Sequence, residues 1–405
     1  MLNNRYTPEE KSLLMEIAKS GRVDYTELEN LYPELFRRHT KESIKFMIKN
    51  LRKEIYASEY QKERQKLLLN KGTTEFKNIV KITATQDRIL EFLEEKLPKL
   101  KIKIPKVEFK ETHKSTESFV MNIADFHIGE VINKDEMMGL NEYNLKIMEK
   151  RFNFYIRTVL NIRNKLNYNF DELVIFFLGD IYSGDIHEEL SITNEANIVD
   201  CFFSSVNMFF SAIVYLLNFF PKIRVEGVVG NHTRMKKSIY YKQKYVNWDY
   251  ILYKTLEMMA KKAGIKNIEF NFPKSPFLLT KIKNSNFLLL HGSDIRSWAS
   301  IPWYGIERAS AKLMDILGSQ RKYFDYMILA HFHTNSSIDK AKGEKIICGS
   351  LSGVNEFSLY RTFTGTRPRQ LIFGVHKDEG VTWRYPINLD RCPKNIEILF
   401  KFGYE

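Results

Sequence analysis

The alternation of apolar strand-like runs with helical runs beyond about residue 117 constrains this chain more than any other sequence feature. The predicted strands are Phe119–Ala124, Leu173–Leu178, Arg224–Val229, Asn286–Leu290 and Met327–Ala330. The helical runs between them lie at about Tyr143–Leu166, Ala196–Phe220, Val246–Ala263 and Gly305–Leu317. Strands that alternate with helices indicate an α/β domain of packed layers. Short strand-like runs between Pro368 and about Phe402 are expected to close a second sheet.

A polar cluster follows each of these five strands, at the point where the buried run ends and a loop begins. The clusters are Asp125-Phe126-His127, Gly179-Asp180, Gly230-Asn231-His232, His291-Gly292 and His331-Phe332-His333. In α/β sheets, ligands bind at the carboxyl edge of the strands. A single histidine after a strand is usually structural, but five polar clusters in succession favour one shared site.

The residue types in these clusters indicate a metal site. Asp, Asn and His offer oxygen and nitrogen ligands without a thiolate, a set that suits divalent ions such as Mn, Fe, Zn or Mg. Six or seven donors are more than one ion needs, so we expect two ions that share a carboxylate, about 3.5–4 Å apart. Such a pair activates water and stabilises in-line displacement at phosphorus.

The ordered series DxH, GD, GNH, HG and HxH resembles the signature of the calcineurin-like metallophosphoesterases over residues 117–350. This resemblance implies a β-sandwich flanked by helices that holds two divalent metal ions, with Mn as the first expectation. The implied ligands of the first ion are Asp125, His127, Asp180 and His333. The implied ligands of the second are Asn231, His291 and His331, with Asp180 bridging the two ions. His232 corresponds to the family's catalytic histidine, which contacts the phosphoryl group and helps to protonate the leaving oxygen.

Two positions depart from the family pattern. Thr233 stands where an acidic residue often follows GNH, which leaves open what orients His232. Ala330 replaces the Gly that usually begins the last cluster, a small change that we expect to be tolerated. Neither change removes a ligand, so an active site is expected. In its metal clusters the chain is most similar to the exonucleases of DNA double-strand-break repair.

Several side chains that follow the clusters are candidates for substrate contacts. They are Arg234, Lys236 and Lys237 after GNH, Asp185 and His187 after GD, and Arg296, Trp298, Trp303 and Tyr304 after the fourth cluster. Cations can hold a phosphate backbone, and aromatic rings beside a cation can stack on unpaired bases. A solvated loop, or packing beneath a loop, is the alternative for each group.

The first 56 residues predict a separate trio of short helices. Thr7 caps the first helix, Tyr25–Leu31 forms the second, and Thr40 caps the third. The third helix is basic and resembles the major-groove helix of homeodomain-like and Myb-like helix-turn-helix modules. The candidate DNA contacts are Arg37, Arg38, Lys41, Lys45, Lys49 and Arg52. A solvated helix in a small structural bundle is the alternative.

Three segments are therefore expected. Residues 1–56 form the DNA-binding-like helical domain, 57–116 a basic connector of helical and extended stretches, and 117–405 the metallophosphoesterase domain. The formal net charge of +13 favours a polyanionic partner, which here means DNA. Three cysteines without a CxxC spacing argue against a disulfide framework and a structural zinc site.

The uncharged stretch Cys201–Pro221 is long enough to span a bilayer, but Ser and Asn interrupt it. We therefore expect a helix buried against a sheet and no membrane association. The opening residues have no apolar leader, which favours a cytoplasmic protein. The bias of Lys over Arg and the many Asn residues suggest a low-GC bacterium or a phage.

These features together favour a metal-dependent DNA nuclease. A phosphatase or phosphodiesterase for a small-molecule or protein substrate is one alternative. A DNA-binding regulator that uses the phosphoesterase domain as a scaffold is another. The sequence leaves open whether cleavage is exonucleolytic or endonucleolytic, and whether the chain forms a homodimer or binds a partner protein.

Overall fold

A computed structural model describes residues 6–19, 23–51, 84–91, 93–94, 116–166, 168–238, 241–296, 302–363 and 365–403. Contacts along the chain divide it into two compact units, Met1–Ile82 and Thr83–Glu405. Most of the predicted connector at 57–116 and the candidate contact Arg52 lie outside the described residues. The boundaries 1–56, 57–116 and 117–405 stay predictions.

The first unit contains short helices around a small apolar core. They are α1 (Pro8–Lys19), α2 (Tyr25–Leu31), α3 (Pro33–Arg38) and α4 (41–51). The expected capping box is present, because Thr7 N donates to Glu10 Oε2 at 2.7 Å and Glu10 N donates to Thr7 Oγ1 at 3.2 Å. The structure adds α3 to the predicted trio, since Pro33 not only ends α2 but also begins the next helix, where its missing N–H costs nothing.

The second unit contains two β-sheets. The strands of the first sheet, in spatial order, are β11 (Gly380–Asn388), β10 (Arg369–His376), β1 (Thr116–Ile123), β2 (Asn169–Phe177), β3 (Ile223–Gly227) and β4 (Ile268–Asn271). The strands of the second, in order, are β5 (Phe277–Ile282), β6 (Ser285–Leu290), β7 (Tyr326–Leu329), β9 (Glu344–Ile347) and β8 (Ser336–Asp339). Strands β1 to β4 run parallel, and so do β6, β7 and β9.

Helices cover the outer face of each sheet. The helices of this unit are α5 (84–91), α6 (Leu145–Lys165), α7 (Glu188–Thr193), α8 (Ile198–Leu216), α9 (Trp248–Lys262), α10 (Trp303–Gly318) and α11 (Glu356–Arg361). Buried side chains of α6, α8 and α9 pack on the first sheet, and those of α10 pack on the second. Phe176 of β2 and Phe287 of β6 meet in the core between the sheets. The predicted α/β sandwich flanked by helices is confirmed.

The apolar segment that raised the question of a membrane forms α8. This helix is long and apolar enough to cross a bilayer by length and composition, and the search covered only the described residues. It lies in the larger core, where the Phe209 ring packs 5.7 Å from the Phe177 ring of β2. The Ser205 hydroxyl pairs with the Tyr182 hydroxyl at 2.8 Å, so a polar atom of α8 is satisfied inside the protein. The helix thus packs against a sheet, as expected.

The expectation that the tail closes the second sheet is wrong. Strands β10 and β11 extend the first sheet, because β10 pairs antiparallel with the edge of β1 that β2 leaves free. The alternate residues Leu371, Phe373 and Val375 of β10 then point into the core between the sheets. The tail therefore contributes to the same core from the other side.

Candidate metal centre

The polar clusters converge because the strands before them end at one edge of the sandwich. Three clusters follow the parallel strands β1, β2 and β3, and two follow β6 and β7 of the facing sheet. Parallel neighbours carry their following loops to the same edge, so residues far apart in the chain become neighbours there. Asp125 and His331, for example, are joined by a hydrogen bond from His331 N to Asp125 Oδ2 of 2.9 Å.

Six of the predicted ligands form two groups of donors. The first group is Asp125, His127 and His333, and the second is Asp180, His291 and His331. Within each group the potential ligand atoms all lie within 4.8 Å of one another. In the first group, His127 Nε2 lies 3.1 Å from His333 Nε2, which in turn lies 3.7 Å from Asp125 Oδ1.

The second group also includes the predicted amide ligand. His291 Nε2 lies 2.9 Å from Asp180 Oδ2 and 3.0 Å from Asn231 Oδ1. The other ring nitrogen, His291 Nδ1, donates to the Leu178 carbonyl at 2.7 Å, which fixes the direction of Nε2. All seven residues proposed as ligands are therefore brought together. Asp180, a member of the second group, also interacts electrostatically with His127 of the first.

The backbone at these ligands is unusual. Five of them have a left-handed φ: Asp125 (47°), His127 (49°), Asp180 (51°), His331 (69°) and His333 (52°). This region is sparsely populated by residues other than Gly and costs about 1–3 kcal/mol for each such residue. The surrounding structure must hold these loops in place.

A carboxylate that the sequence analysis did not identify provides part of that restraint. Asp249 of α9 is fully buried, and its Oδ2 accepts from Asp180 N at 3.0 Å, Gly230 N at 2.9 Å and Thr233 Oγ1 at 2.8 Å. Its Oδ1 accepts from Ile181 N at 3.1 Å. One side chain thus ties the loop after β2 to the loop after β3. Thr233, the residue that departs from the family pattern, takes part in this network.

The position of Asp249 in the sequence indicates a helix end and not a metal site. Asn247 caps α9, since its Oδ1 accepts from Asp249 N at 2.8 Å, and an acid in the first turn of a helix is ordinarily explained by the helix dipole. The hydrogen-bond partners of Asp249 lie up to 69 residues away in the chain. Local pattern alone could not distinguish an acid that stabilises a helix end from one that organises distant loops.

Substitution of Asp249 tests this role. Asp249→Asn places an amide donor where the carboxylate accepts backbone N–H groups, so at least one buried donor loses its partner. We expect the free energy of unfolding to fall by about 1–3 kcal/mol. Metal affinity, measured by calorimetric titration, should fall by about 10–100-fold, as for other residues that orient metal ligands.

Asp325→Asn is the matched control, because Asp325 is also buried and accepts a backbone N–H, from Asn286 at 2.9 Å, but lies outside the donor groups. It should lower stability and leave metal affinity unchanged. An Asp249→Asn protein that binds metal normally would contradict the proposed role.

Burial favours the neutral form of three of the four histidines in the donor groups. It lowers the pKa of His331 to about 3 and that of His333 to about 4, and it holds the pKa of His127 well below its ordinary value. Burial would also lower the pKa of His291, but the adjacent Asp180 carboxylate outweighs it and raises that pKa to about 9. Neutral imidazoles have a ring nitrogen available as a metal ligand.

The donor set fits divalent cations. Asp125 Oδ1, although fully buried, has no hydrogen-bond partner among the described residues, and burial raises the pKa of this carboxyl well above its ordinary value. A cation among these donors would satisfy the orphaned oxygen and reverse the penalty on the buried charge. Carboxylate, amide and imidazole ligands suit Mn, Fe, Zn and related ions, and no cysteine belongs to either donor group.

His232 lies beside both donor groups but belongs to neither. Its ring centroid is 4.7 Å from that of His127, and its backbone N donates to Asp180 Oδ1 at 2.7 Å. His232 Nδ1 lies 3.1 Å from the Ser183 carbonyl, which can only accept, so Nδ1 carries a proton. The remaining nitrogen, Nε2, is left for a substrate. Ser183 therefore supplies the orientation that the missing acidic residue after GNH left open.

The other predicted substrate contacts have different outcomes. The His187 ring lies 5.3 Å from the His232 ring, and Arg234, Lys236 and Lys237 line a groove with Asp185. Arg296, Trp303 and Tyr304 are exposed, and no described contact brings them to the donor groups. Trp298 lies outside the described residues.

Comparison with known proteins finds distant structural similarity only. No protein-family model and no curated protein matches the sequence. Vacuolar protein sorting 29 from Cryptosporidium parvum is 11% identical and has a TM-score of 0.28, with 67% of this chain and 98% of that one covered. A novel archaeal phosphodiesterase is 12% identical, with a TM-score of 0.29 and coverage of 66% and 99%. A hypothetical protein from Pyrococcus horikoshii OT3 is 12% identical, with a TM-score of 0.33 and coverage of 72% and 100%.

TM-scores this low carry no conclusion about function, which must be inferred from the chain's own site. That site has the order of motifs and the two-sheet architecture that the metallophosphoesterase resemblance implies. Its seven predicted ligands meet at one edge of the sandwich, with His232 beside them.

Proposed function

We propose that the chain is a phosphodiesterase that depends on two divalent metal ions and hydrolyses nucleic acid, as a DNA nuclease. The observation that carries this proposal is the pair of adjacent donor groups, with a histidine beside them that belongs to neither group. Two ions held in this way, when bound, supply an activated water and neutralise charge on the phosphoryl oxygens. The proposed cofactor is Mn, with Fe, Zn and Mg as the other candidates.

The chain's own residues hold and orient the reacting groups. Asp180 presents Oδ2 to the second donor group while its Oδ1 accepts from His232 N, so one carboxylate fixes the position of both the centre and the catalytic histidine. Asn231 contributes a neutral oxygen, which limits negative charge near an anionic phosphodiester.

His232 is placed to manage the leaving group. Because Nδ1–H is held by the Ser183 carbonyl, a protonated His232 can direct only its Nε2–H towards a substrate. Donation of that proton to the departing oxygen neutralises the alkoxide as the phosphorus–oxygen bond breaks. The ring is partly exposed, so it remains accessible to a bound phosphodiester.

DNA is proposed as the substrate on the basis of charge. The net charge of +13 favours a polyanion, and the first unit exposes Lys45 and Lys49 on α4. Other predicted contacts in this unit are already engaged: Arg37 pairs with Glu34, and Arg38 pairs with Glu10 at 2.9 Å. A phosphate contact from either arginine must compete with its ion pair.

The assay that tests this proposal compares substrates. The purified chain with Mn²⁺ is incubated with linear, nicked and single-stranded DNA, and separately with a small chromogenic phosphodiester. Cleavage of DNA that a chelator abolishes and Mn²⁺ restores is the expected result. Turnover of the small ester alone would favour a small-molecule phosphodiesterase, and binding of DNA without any turnover would favour a regulator.

The contribution of the first unit to DNA affinity can be tested in the full chain. Lys49 is exposed and Lys41 half-buried on α4, where Lys41 also interacts electrostatically with Asp24. Each phosphate contact changes the slope of log affinity against log salt by about 0.9. The double substitution Lys41→Ala, Lys49→Ala is expected to reduce that slope by about 1.8 and to weaken duplex binding. Fluorescence anisotropy in the presence of a chelator measures this without cleavage.

The matched control removes two lysines from α1, as Lys11→Ala, Lys19→Ala, and should leave the slope unchanged. Both pairs lie in the first unit and change the net charge equally. An identical effect of the two double substitutions would show that α4 has no special role in DNA binding.

A further inference from the structure

A groove of about 430 Å³ opens beside the candidate metal centre. Its walls are the loop between β2 and α7, the start of α8, the segment after GNH, and the start of α9. Ile186, Ile198, Arg234, Met235, Lys236 and Trp248 are among the residues that line it. His187, next to Ile186 in the chain, has its ring 5.3 Å from the ring of His232, and the lining residue Arg234 follows His232 by two positions, so the groove lies near the catalytic histidine.

Four apolar side chains, one of them aromatic, line part of this groove and are termed its floor; the rest of the lining is polar and includes Asp185 and Glu188. Ile186 and Ile198 are buried, while Met235 and Trp248 are partly exposed. The Trp248 ring packs 5.6 Å from the Phe202 ring of α8, which supports it from below. A supported aromatic ring beside aliphatic side chains is a suitable surface for a planar nucleobase, since every base has a face that can stack.

One cation that lines this groove also interacts with the metal centre. Arg234 is half-buried, and its Nη2 donates a long hydrogen bond of 3.4 Å to the Lys237 carbonyl on the exposed side. Its guanidinium interacts electrostatically with Asp180 of the second donor group. A phosphate oxygen would offer this exposed nitrogen a shorter, charge-assisted hydrogen bond in place of the long one.

We propose that this groove binds the nucleoside adjacent to the scissile phosphodiester, with its base against Trp248, Met235 and Ile186 and a phosphate oxygen on Arg234. The proposal rests on the proposed phosphodiesterase function and adds a nucleoside specificity to it. A simple phosphodiester would reach the metal centre without using the groove, whereas a nucleotide would gain binding energy from it.

Two chromogenic phosphodiesters with the same leaving group test the proposal. Thymidine 5′-(4-nitrophenyl phosphate) carries a nucleoside, and methyl 4-nitrophenyl phosphate carries a methyl group in its place. With the full chain and Mn²⁺, kcat/KM is expected to be about 5–150-fold higher for the thymidine ester, which is the range given by stacking on one base. Most of the difference should appear in KM.

Met235→Ala removes part of the floor and is expected to reduce the ratio of the two kcat/KM values by about tenfold. Trp248→Ala should reduce it further, and thermal melting of each variant shows whether it folds. The matched control is Met138→Ala, because Met138 is 83% exposed on a loop that does not line the groove. That variant should retain the wild-type ratio.

Equal kcat/KM for the two esters in the unaltered protein would overturn the proposal, as would a Met235→Ala variant with an unchanged ratio. The outcome for nuclease function is separate. A chain that prefers the thymidine ester through Met235 but does not cleave DNA would retain the groove and refute the nuclease. A chain that cleaves DNA but does not discriminate between the esters would support the nuclease and refute the nucleoside groove.

Discussion

Replacement of Asp180 with asparagine is expected to reduce kcat by about 10³-fold or more, because the metal ions contribute several kcal/mol of charge stabilisation and each 1.36 kcal/mol is tenfold in rate. The carboxylate contacts His291 at 2.9 Å through Oδ2 and His232 N at 2.7 Å through Oδ1. An amide retains only one oxygen and no charge. The change therefore affects both donor groups and the backbone of the catalytic histidine together.

Metal content by elemental analysis and turnover of a phosphodiester should be measured on the same preparation. Asp135→Asn is the matched control, since Asp135 is exposed on a loop and belongs to neither donor group. It should retain full activity and metal. Normal turnover and metal content in the Asp180→Asn protein would show that the assignment of a dinuclear centre is wrong.

His232→Ala is expected to have nearly as large an effect with a different signature. Metal content should be unchanged, because His232 lies in neither donor group. Activity on DNA should fall by about 10²–10⁴-fold, the usual contribution of a general acid or base. The loss should be much smaller for a 4-nitrophenyl ester, since nitrophenolate leaves readily without a proton.

His376→Ala provides the control, because His376 lies at the end of β10 and its Nδ1 accepts only from backbone N–H groups nearby. It should behave as the unaltered protein. Loss of metal from the His232→Ala variant would place His232 among the ligands. An equal loss of activity on both kinds of ester would argue against its role as the acid.

The parts of this structure that depend on local pattern could be predicted from the sequence. Apolar runs that end in polar residues predicted β1, β2, β3, β6 and β7, because a buried strand and its exposed loop differ in composition over only a few residues. The family resemblance that these ordered clusters carry then implied which side chains would meet. Their convergence follows from parallel strands and needs no knowledge of exact contacts.

The parts that depend on long-range pairing could not be predicted. Apolar and polar residues alternate along β10 in a way that fits either sheet. Its place in the first sheet is decided by pairing with the free edge of β1. The role of Asp249 could not be predicted for the same reason, since it depends on partners in two other loops. The division of α2 from α3 at Pro33 rests on whether a proline ends one helix or begins the next, which the sequence leaves undecided.

The left-handed backbone at five candidate ligands lowers the stability of the fold at positions that metal binding requires. Glycine at any of these positions would relieve conformational strain, and a protein selected only for heat resistance would gain from such a change. Each replacement would also delete a donor from the centre. Five of the ten non-glycine residues with a positive φ among the described residues are candidate ligands at this one edge, so this edge of the sandwich exchanges backbone stability for metal-binding side chains.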